Sequence, residues 1–387
     1  MSVQEIFTKK NIASFSLILM SVQIIGIEGF VISMPKVVYM CLCPLLLLGL
    51  SPKISKAIIL SAIFWGTTFL LNIIQFENQR LSTFYYTLMF LSIFCLFYNL
   101  VWEEHCYELD DFLRLVKSVI FAYVVCLILQ QASLLVGMRY IPLINMMNQR
   151  WLSFSHLNSL AIEPSHAARV LTVYFYAFLK LVEIKNGRPA PIKQLFGEYR
   201  WLVLGFLYTM FSIGSGTAMV GLAILSLYFL KRQYVMVVVL AAFLLYLIAP
   251  HIDYEPLNRA MVTLDATLTM DEDEVRSADH SAASRVNTLL SIKYTDLSDV
   301  QLWFGYGTEY IYGGEGKTLG VIYSKGLISY LLKLLLYFSC AIPNIFSLAT
   351  LMFILLFIMD IGNVAYCFAC LMVLSGVKYF LTRYNKL

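Results

Sequence analysis

Charge is what this sequence has least of. Charged residues occupy 13% of its 387 positions and hydrophobic ones 60%, with a mean hydropathy of +0.75; a soluble globular chain carries charge on roughly a quarter of its residues. That shortage excludes a soluble enzyme, and no nucleic-acid partner is expected. Other absences are equally informative. None of the eight cysteines, at 41, 43, 95, 106, 126, 340, 367 and 370, falls in the extended polar stretches, so no disulfide is expected there. Cys367 and Cys370 have CxxC spacing but lie in an apolar run with no second pair or neighbouring histidine, which favours packing over metal binding. There is no GxxxxGK(S/T) phosphate loop. The basic start, MSVQEIFTKKNIASFSL, leads into an apolar run with no small-x-small cleavage site before the next basic residue, so it reads as a retained first span. No mirrored halves are visible, which speaks against a transporter built from inverted repeats.

What is present is a succession of apolar runs. Lengths of roughly 15 to 22 residues suit a hydrocarbon core about 30 Å thick, and lipid offers no partner for a bare peptide group, so such runs must be helices. We expect an all-α polytopic integral membrane protein of about twelve transmembrane helices, near 11–33, 37–50, 57–75, 82–102, 115–137, 168–184, 201–214, 216–230, 234–249, 319–340, 344–360 and 364–380. The runs at 37–50, 201–214 and 216–230 are short for full crossings. Basic clusters follow alternate connections: Lys9 and Lys10; Lys53 and Lys56; Arg114 and Lys117; Lys185, Arg188, Lys193 and Arg200; Lys231 and Arg232; Arg383 and Lys386. The positive-inside rule assigns this side to the cytoplasm. Both polar stretches, 138–167 and the larger 250–318, then lie outside, in the periplasm of a double-membrane bacterium. Within the spans, Glu28, Lys180, Lys333 and Asp360 are the ionisable residues, mostly near span ends where they reach the interface. Glu28 with Gln23, and Gln130 with Gln131, suit interhelical hydrogen bonds instead.

The shorter outer stretch carries Arg139, Arg150, His156, Glu163, His166 and Arg169. Glu163-Pro164-Ser165-His166 reads as a helix start, with proline at the first position and His166 and Arg169 three apart on one face. Free amides there favour an anion. Each residue also has a structural reading: Glu163 as a cap, Arg169 as a side chain snorkelling to headgroups, Arg150 beside Trp151 as an interfacial anchor. The longer stretch opens with Asp271-Glu272-Asp273-Glu274, then Arg276, His280, Arg285 and Lys293. Residues 284–302 suggest an amphipathic surface helix, followed by the glycine-flanked turn Phe304-Gly305-Tyr306-Gly307. Four adjacent carboxylates suit a divalent metal, but more often form a solvated loop.

Taken together, these residues resemble the bacterial O-antigen polymerase (Wzy) family. Arg150 followed by Ala161-Ile162-Glu163-Pro164-Ser165 at a span mouth is similar to that family's first signature. Arg285 with Phe304-Gly305-Tyr306-Gly307 is similar to its second. The serine- and glycine-rich segment Ser212-Ile213-Gly214-Ser215-Gly216-Thr217 resembles the family's helix hairpin between the two loops. Two positions depart: Ala161 stands where glycine is usual, and Gly216-Thr217 where relatives often carry an arginine.

The resemblance implies glycan transfer from a polyprenyl donor. A growing glycan on undecaprenyl pyrophosphate passes to a hydroxyl of a new lipid-linked repeat unit at the periplasmic face of the inner membrane, with a chain-length-regulating membrane protein as partner. Arg150, Arg169, Arg276 and Arg285, with His166 and Tyr306, are then the substrate-binding residues, since a guanidinium fork suits phosphate oxygens. Glu163 is the first choice of general base and His280 the second. No metal or cofactor is expected. An O-antigen ligase using lipid A–core as acceptor shares the loop and its arginines; a lipid-linked oligosaccharide flippase and a non-catalytic scaffold are the other readings.

Overall fold

The computed structural model describes residues 8–23, 33–73, 80–138, 141, 157–230, 247, 252, 258, 261, 295–307, 317–354 and 364–384. Among them all regular structure is helical. The helices are α1 (Lys9–Ser21), α2 (Met34–Leu50), α3 (Lys56–Ile73), α4 (Leu81–Trp102), α5 (Leu109–Leu135), α6 (Pro164–Asn186), α7 (Ile192–Glu198), α8 (Arg200–Ser212), α9 (Gly216–Ser226), α10 (Val300–Phe304), α11 (Lys317–Lys325), α12 (Leu327–Cys340), α13 (Leu348–Phe353) and α14 (Val364–Arg383). Three of them, α4, α5 and α14, are long and apolar enough to cross a membrane, and Met34–Leu50, Lys56–Leu71, Gly216–Phe229 and Leu327–Cys340 are shorter apolar helices. The expected run at 234–249 lies outside the described residues except for Leu247.

α6 and α14 occupy the centre. Every residue of α6 from His166 to Leu179 is buried, the polar side chains of His166, Arg169 and Thr172 included, because neighbouring helices enclose it. α6 packs on α5, α8, α9, α13 and α14, and α14 also packs on α1, α4 and α5. Small residues permit the close approaches: a Cβ at Gly221 would meet Thr172 Oγ1 at 2.1 Å, and one at Gly376 would meet Phe112 Cζ at 2.3 Å. Outward faces are apolar. On α2, Val38, Leu42, Leu45 and Leu48 recur at helical spacing and are all exposed, a stripe that water would not favour but lipid would.

One expected span is interrupted. The run at 319–340 is two helices, because Gly326 adopts φ +87° between α11 and α12. The Phe304-Gly305-Tyr306-Gly307 turn docks on this break. Tyr306 N donates to Tyr323 O at 2.8 Å and Gly307 N to Ser324 O at 3.1 Å, so carbonyls from the last turn of α11 find partners in the loop. Gly305 and Gly326 meet backbone to backbone; a Cβ at Gly305 would lie 2.7 Å from Gly326 N, and one at Gly326 2.5 Å from Trp303 O.

The two ends of the bundle differ in charge. At one end Glu104 accepts from Lys9 and lies 3.2 Å from Lys53 Nζ, Asp111 pairs with Lys10 at 2.7 Å and Arg114 at 2.5 Å, Asp110 with Lys185 at 2.6 Å, and Glu108 with Arg383 at 3.8 Å. These pairs tie together the start of α1, the α2–α3 connection, the start of α5 and the ends of α6 and α14. The Lys9 hydrogen bond, aided by Lys53 and Ser51, holds the Glu104 carboxyl down at about 2 from its ordinary 4.5. A depressed carboxylate stabilises the fold above its unfolded pKa and loses that contribution as pH falls through the folded one. Glu104→Gln should therefore flatten the acid-unfolding curve between about pH 4.5 and about pH 2, as followed by circular dichroism in detergent; an unchanged curve would show that the contact adds nothing.

Candidate functional site

The site lies at the opposite end, where residues 157–163 lead into α6. Ser159 holds a left-handed φ of +52°, unusual for a residue with a Cβ, and its neighbours fix it there. The Gln130 amide accepts from Ser159 N at 2.9 Å and donates to Ser159 O at 3.1 Å, while Ser159 Oγ donates to Tyr123 O at 2.6 Å. Asn158 Nδ2 donates to Ile162 O at 2.9 Å, and Gln23 N to Leu160 O at 2.7 Å. Gln130, expected to hydrogen-bond between helices, thus braces the loop that enters α6, whereas Gln131 accepts from Tyr208 OH of α8 at 2.5 Å. The left-handed residue is Ser159, not Ala161, so alanine in place of glycine at 161 brings no backbone strain.

α6 begins at Pro164 with Glu163 as its N-cap residue. The Glu163 side chain makes no capping hydrogen bond and is 58% exposed, its Oε2 lying 3.9 Å from His166 Nδ1. His166 and Arg169 turn inward, 8% and 2% exposed. The snorkelling reading of Arg169 is therefore set aside: its guanidinium is enclosed by the bundle. The His166 ring lies 5.2 Å from that of Tyr366 on α14, whose hydroxyl accepts from Ile162 N at 2.9 Å.

Another cation meets them at the same place. Lys36, near the start of α2, is 1% exposed; its Nζ donates to Gln23 Oε1 at 3.0 Å and sits 5.4 Å over the Tyr366 ring. Arg169 lies on α6, which packs on α14, while Lys333 is on α12 and Lys325 ends α11 beside the helix break. Lys333 also covers the Tyr330 ring at 4.5 Å. Basic side chains from α2 and α6 thus meet at the first turn of α14, Lys36 and His166 both lying against the Tyr366 ring. Among the described residues no carboxylate lies within ion-pair distance of Lys36, Lys325 or Lys333, in contrast to the salt-bridged end.

The chain matches no known protein family, no curated protein and no solved structure.

The residues themselves then carry the reading. Glu163, His166 and Arg169 share one helix start. Tyr306 does not point freely into this group: its hydroxyl donates to Asp299 Oδ2 at 3.0 Å, and Asp299 also caps α10 through Gln301 N at 2.9 Å, so Tyr306 rigidifies the docked turn. Arg150, Arg276, His280, Arg285 and the Asp271–Glu274 run lie outside the described residues, as do Glu28 and Asp360. Lys180 serves structure, paired with Glu183 at 2.9 Å, which also accepts from Tyr228 OH at 2.8 Å. Cys367 and Cys370 are free and packed, Cys370 fully buried. Sequence reasoning missed Lys36 and Lys325. The available signal for Lys36 was a lone cation one residue after proline at the mouth of an apolar run; Lys325 adjoined the glycine that breaks the helix.

A gathering of guanidinium and ammonium groups in a medium of low dielectric binds a multiply charged anion strongly.

Proposed function

We propose that the chain is an O-antigen-polymerase-like glycosyltransferase of the bacterial inner membrane, with about twelve spans and both polar stretches facing the periplasm. It moves the growing glycan from undecaprenyl pyrophosphate to a hydroxyl of a fresh lipid-linked repeat unit. The observation that carries this reading is the meeting of Lys36 and His166 on the Tyr366 ring of α14, with Arg169 buried three residues further along α6, beside the Glu163-Pro164-Ser165 helix start.

In the step we envisage, an acceptor hydroxyl attacks the anomeric carbon of the donor sugar. The bond from that carbon to the pyrophosphate oxygen breaks, and the electron pair leaves with the diphosphate. Arg169 and its neighbouring cations stabilise the charge that develops there, with Arg150, Arg276 and Arg285 supplying more from the two polar stretches. Glu163, solvent-facing and beside His166, takes the acceptor proton, with His280 as the other candidate for that role. Tyr306 acts by shaping the loop. A chain-length-regulating membrane protein is the proposed partner.

The test is the surface glycan ladder of a strain deleted for this gene. A single-rung product supports polymerisation; missing surface glycan would point to ligation or export, and an unaltered ladder would remove the proposal. Within the same assay Glu163→Gln should lower turnover by about 10²–10⁴-fold while donor binding holds; equal turnover would move the base elsewhere. Chelators should leave the activity intact, whereas loss reversed by added Mg²⁺ or Mn²⁺ would make Asp271–Glu274 a metal site.

A further inference from the structure

A second charged feature lies at the other end of the bundle. Between α5 and the α7–α8 corner is a groove of about 820 Å³ lined by Arg114, Lys117, Phe121, Val125, Arg200 and Trp201, among others. Its α5 wall is one helical face: Arg114, Ser118, Phe121, Ala122 and Val125 are exposed and spaced three or four apart. That face grades from cationic to apolar and continues through Ile128 and Leu129, both also exposed. The α8 wall has the same gradient, from Arg200 through Trp201, 70% exposed, to Leu204, Tyr208 and Phe211. Lower down the two helices close, Gly205 lying against Val124 and Tyr208 reaching Gln131.

The cations are held at the mouth. Lys117 Nζ sits 5.4 Å over the Tyr199 ring and the Arg200 guanidinium 4.7 Å over the Trp201 ring. Arg114 gives one N–H to Asp111 and has further donors. Three cations face one lining carboxylate, Glu198, which already accepts from Gln194 Nε2 at 3.0 Å. A basic mouth above an outward-facing apolar wall, with an exposed tryptophan at the junction, matches a lipid with an anionic headgroup. A soluble anion would leave the apolar wall uncovered.

We propose that this groove binds an anionic phospholipid of the surrounding bilayer, its phosphate between Lys117 and Arg200 and an acyl chain along Phe121 and Val125. The site is separate from the cation cluster around α14, and its occupancy does not depend on what that cluster binds.

The experiment reconstitutes the full-length chain into phosphatidylcholine vesicles and quenches its tryptophan fluorescence with brominated phosphatidylglycerol or brominated phosphatidylcholine. The difference between the wild-type chain and Trp201→Phe isolates the Trp201 signal. Brominated phosphatidylglycerol should quench it at a mole fraction roughly tenfold lower, the order that one or two interfacial cations supply. Lys117→Gln combined with Arg200→Gln should remove that preference, and Arg383→Gln, outside the groove, should keep it. Equal quenching of wild-type Trp201 by the two lipids would overturn the proposal, as would a preference surviving in the double variant. Displacement of the quencher by soluble glycerol phosphate would overturn it too, since the site would then take a free anion.

Discussion

Arg169→Ala should leave single repeat units on the surface and no long-chain glycan. The side chain sits one turn inside α6, 2% exposed, where water screens its charge least. One well-aimed donor to a developing anion is worth about 2.7–4 kcal/mol, or roughly 10²–10³ in rate, and a processive polymer amplifies that loss at every cycle. Because removal of a buried side chain also leaves a cavity, Arg169→Lys is the sharper comparison: it retains the charge and most of the volume but gives up the planar fork that meets two phosphate oxygens. We expect Arg169→Lys to fold like the wild-type chain, judged by its thermal midpoint in detergent, and still to make short glycans. Full-length polymer from both variants would take Arg169 out of the site.

Gly326→Ala should destabilise the protein more than any other single methyl addition at the described glycines with positive φ. Its φ of +87° and ψ of +146° belong to a region that a side chain enters only under strain, and the added Cβ would lie 2.5 Å from Trp303 O and 2.7 Å from Phe304 C, both backbone atoms. Strain of about 1–3 kcal/mol from the backbone conformation combines with overpacking of about 1–3 kcal/mol. Neither contact is to a flexible side chain that gives way. The docked turn should therefore separate from α11, with a lower yield of folded protein and new proteolytic sites near residues 300–307. Gly137→Ala is the control. That glycine also has a positive φ, +78°, but nothing within 4 Å of its Cβ direction, so it should lose only the conformational part. Equal stability of the two variants would mean that the Gly305–Gly326 contact does not hold the loop.

The helices were legible because apolar runs in lipid have one solution. Pro164 fixed the start of α6, and the acid–base pairs of the salt-bridged end fall among the basic clusters that the loops displayed. The helix break at Gly326 was not legible, since a single glycine within an apolar run is compatible with an unbroken helix; the turn that docks there comes from a segment some twenty residues earlier. Arg169 was visible as a candidate, but spacing alone left it either at the lipid surface or inside, and packing of α14 on α6 decides for the inside. Lys36 was invisible for a related reason: its partners Gln23 and Tyr366 are 13 and 330 residues away. Tyr306 looked like a ligand group, yet its hydroxyl is engaged by Asp299, seven residues before it.

The cation cluster around the first turns of α14 is the centre of this account, and binding of the carrier lipid probes it most directly. In nanodiscs the full-length chain should bind undecaprenyl pyrophosphate roughly 10²-fold more tightly than the uncharged alcohol undecaprenol, as two or more charge-assisted contacts would supply. Arg169→Lys and Lys36→Gln should each narrow that gap. Equal affinity for the pyrophosphate and the alcohol would contradict the account, because the cations would then make no contact with the diphosphate.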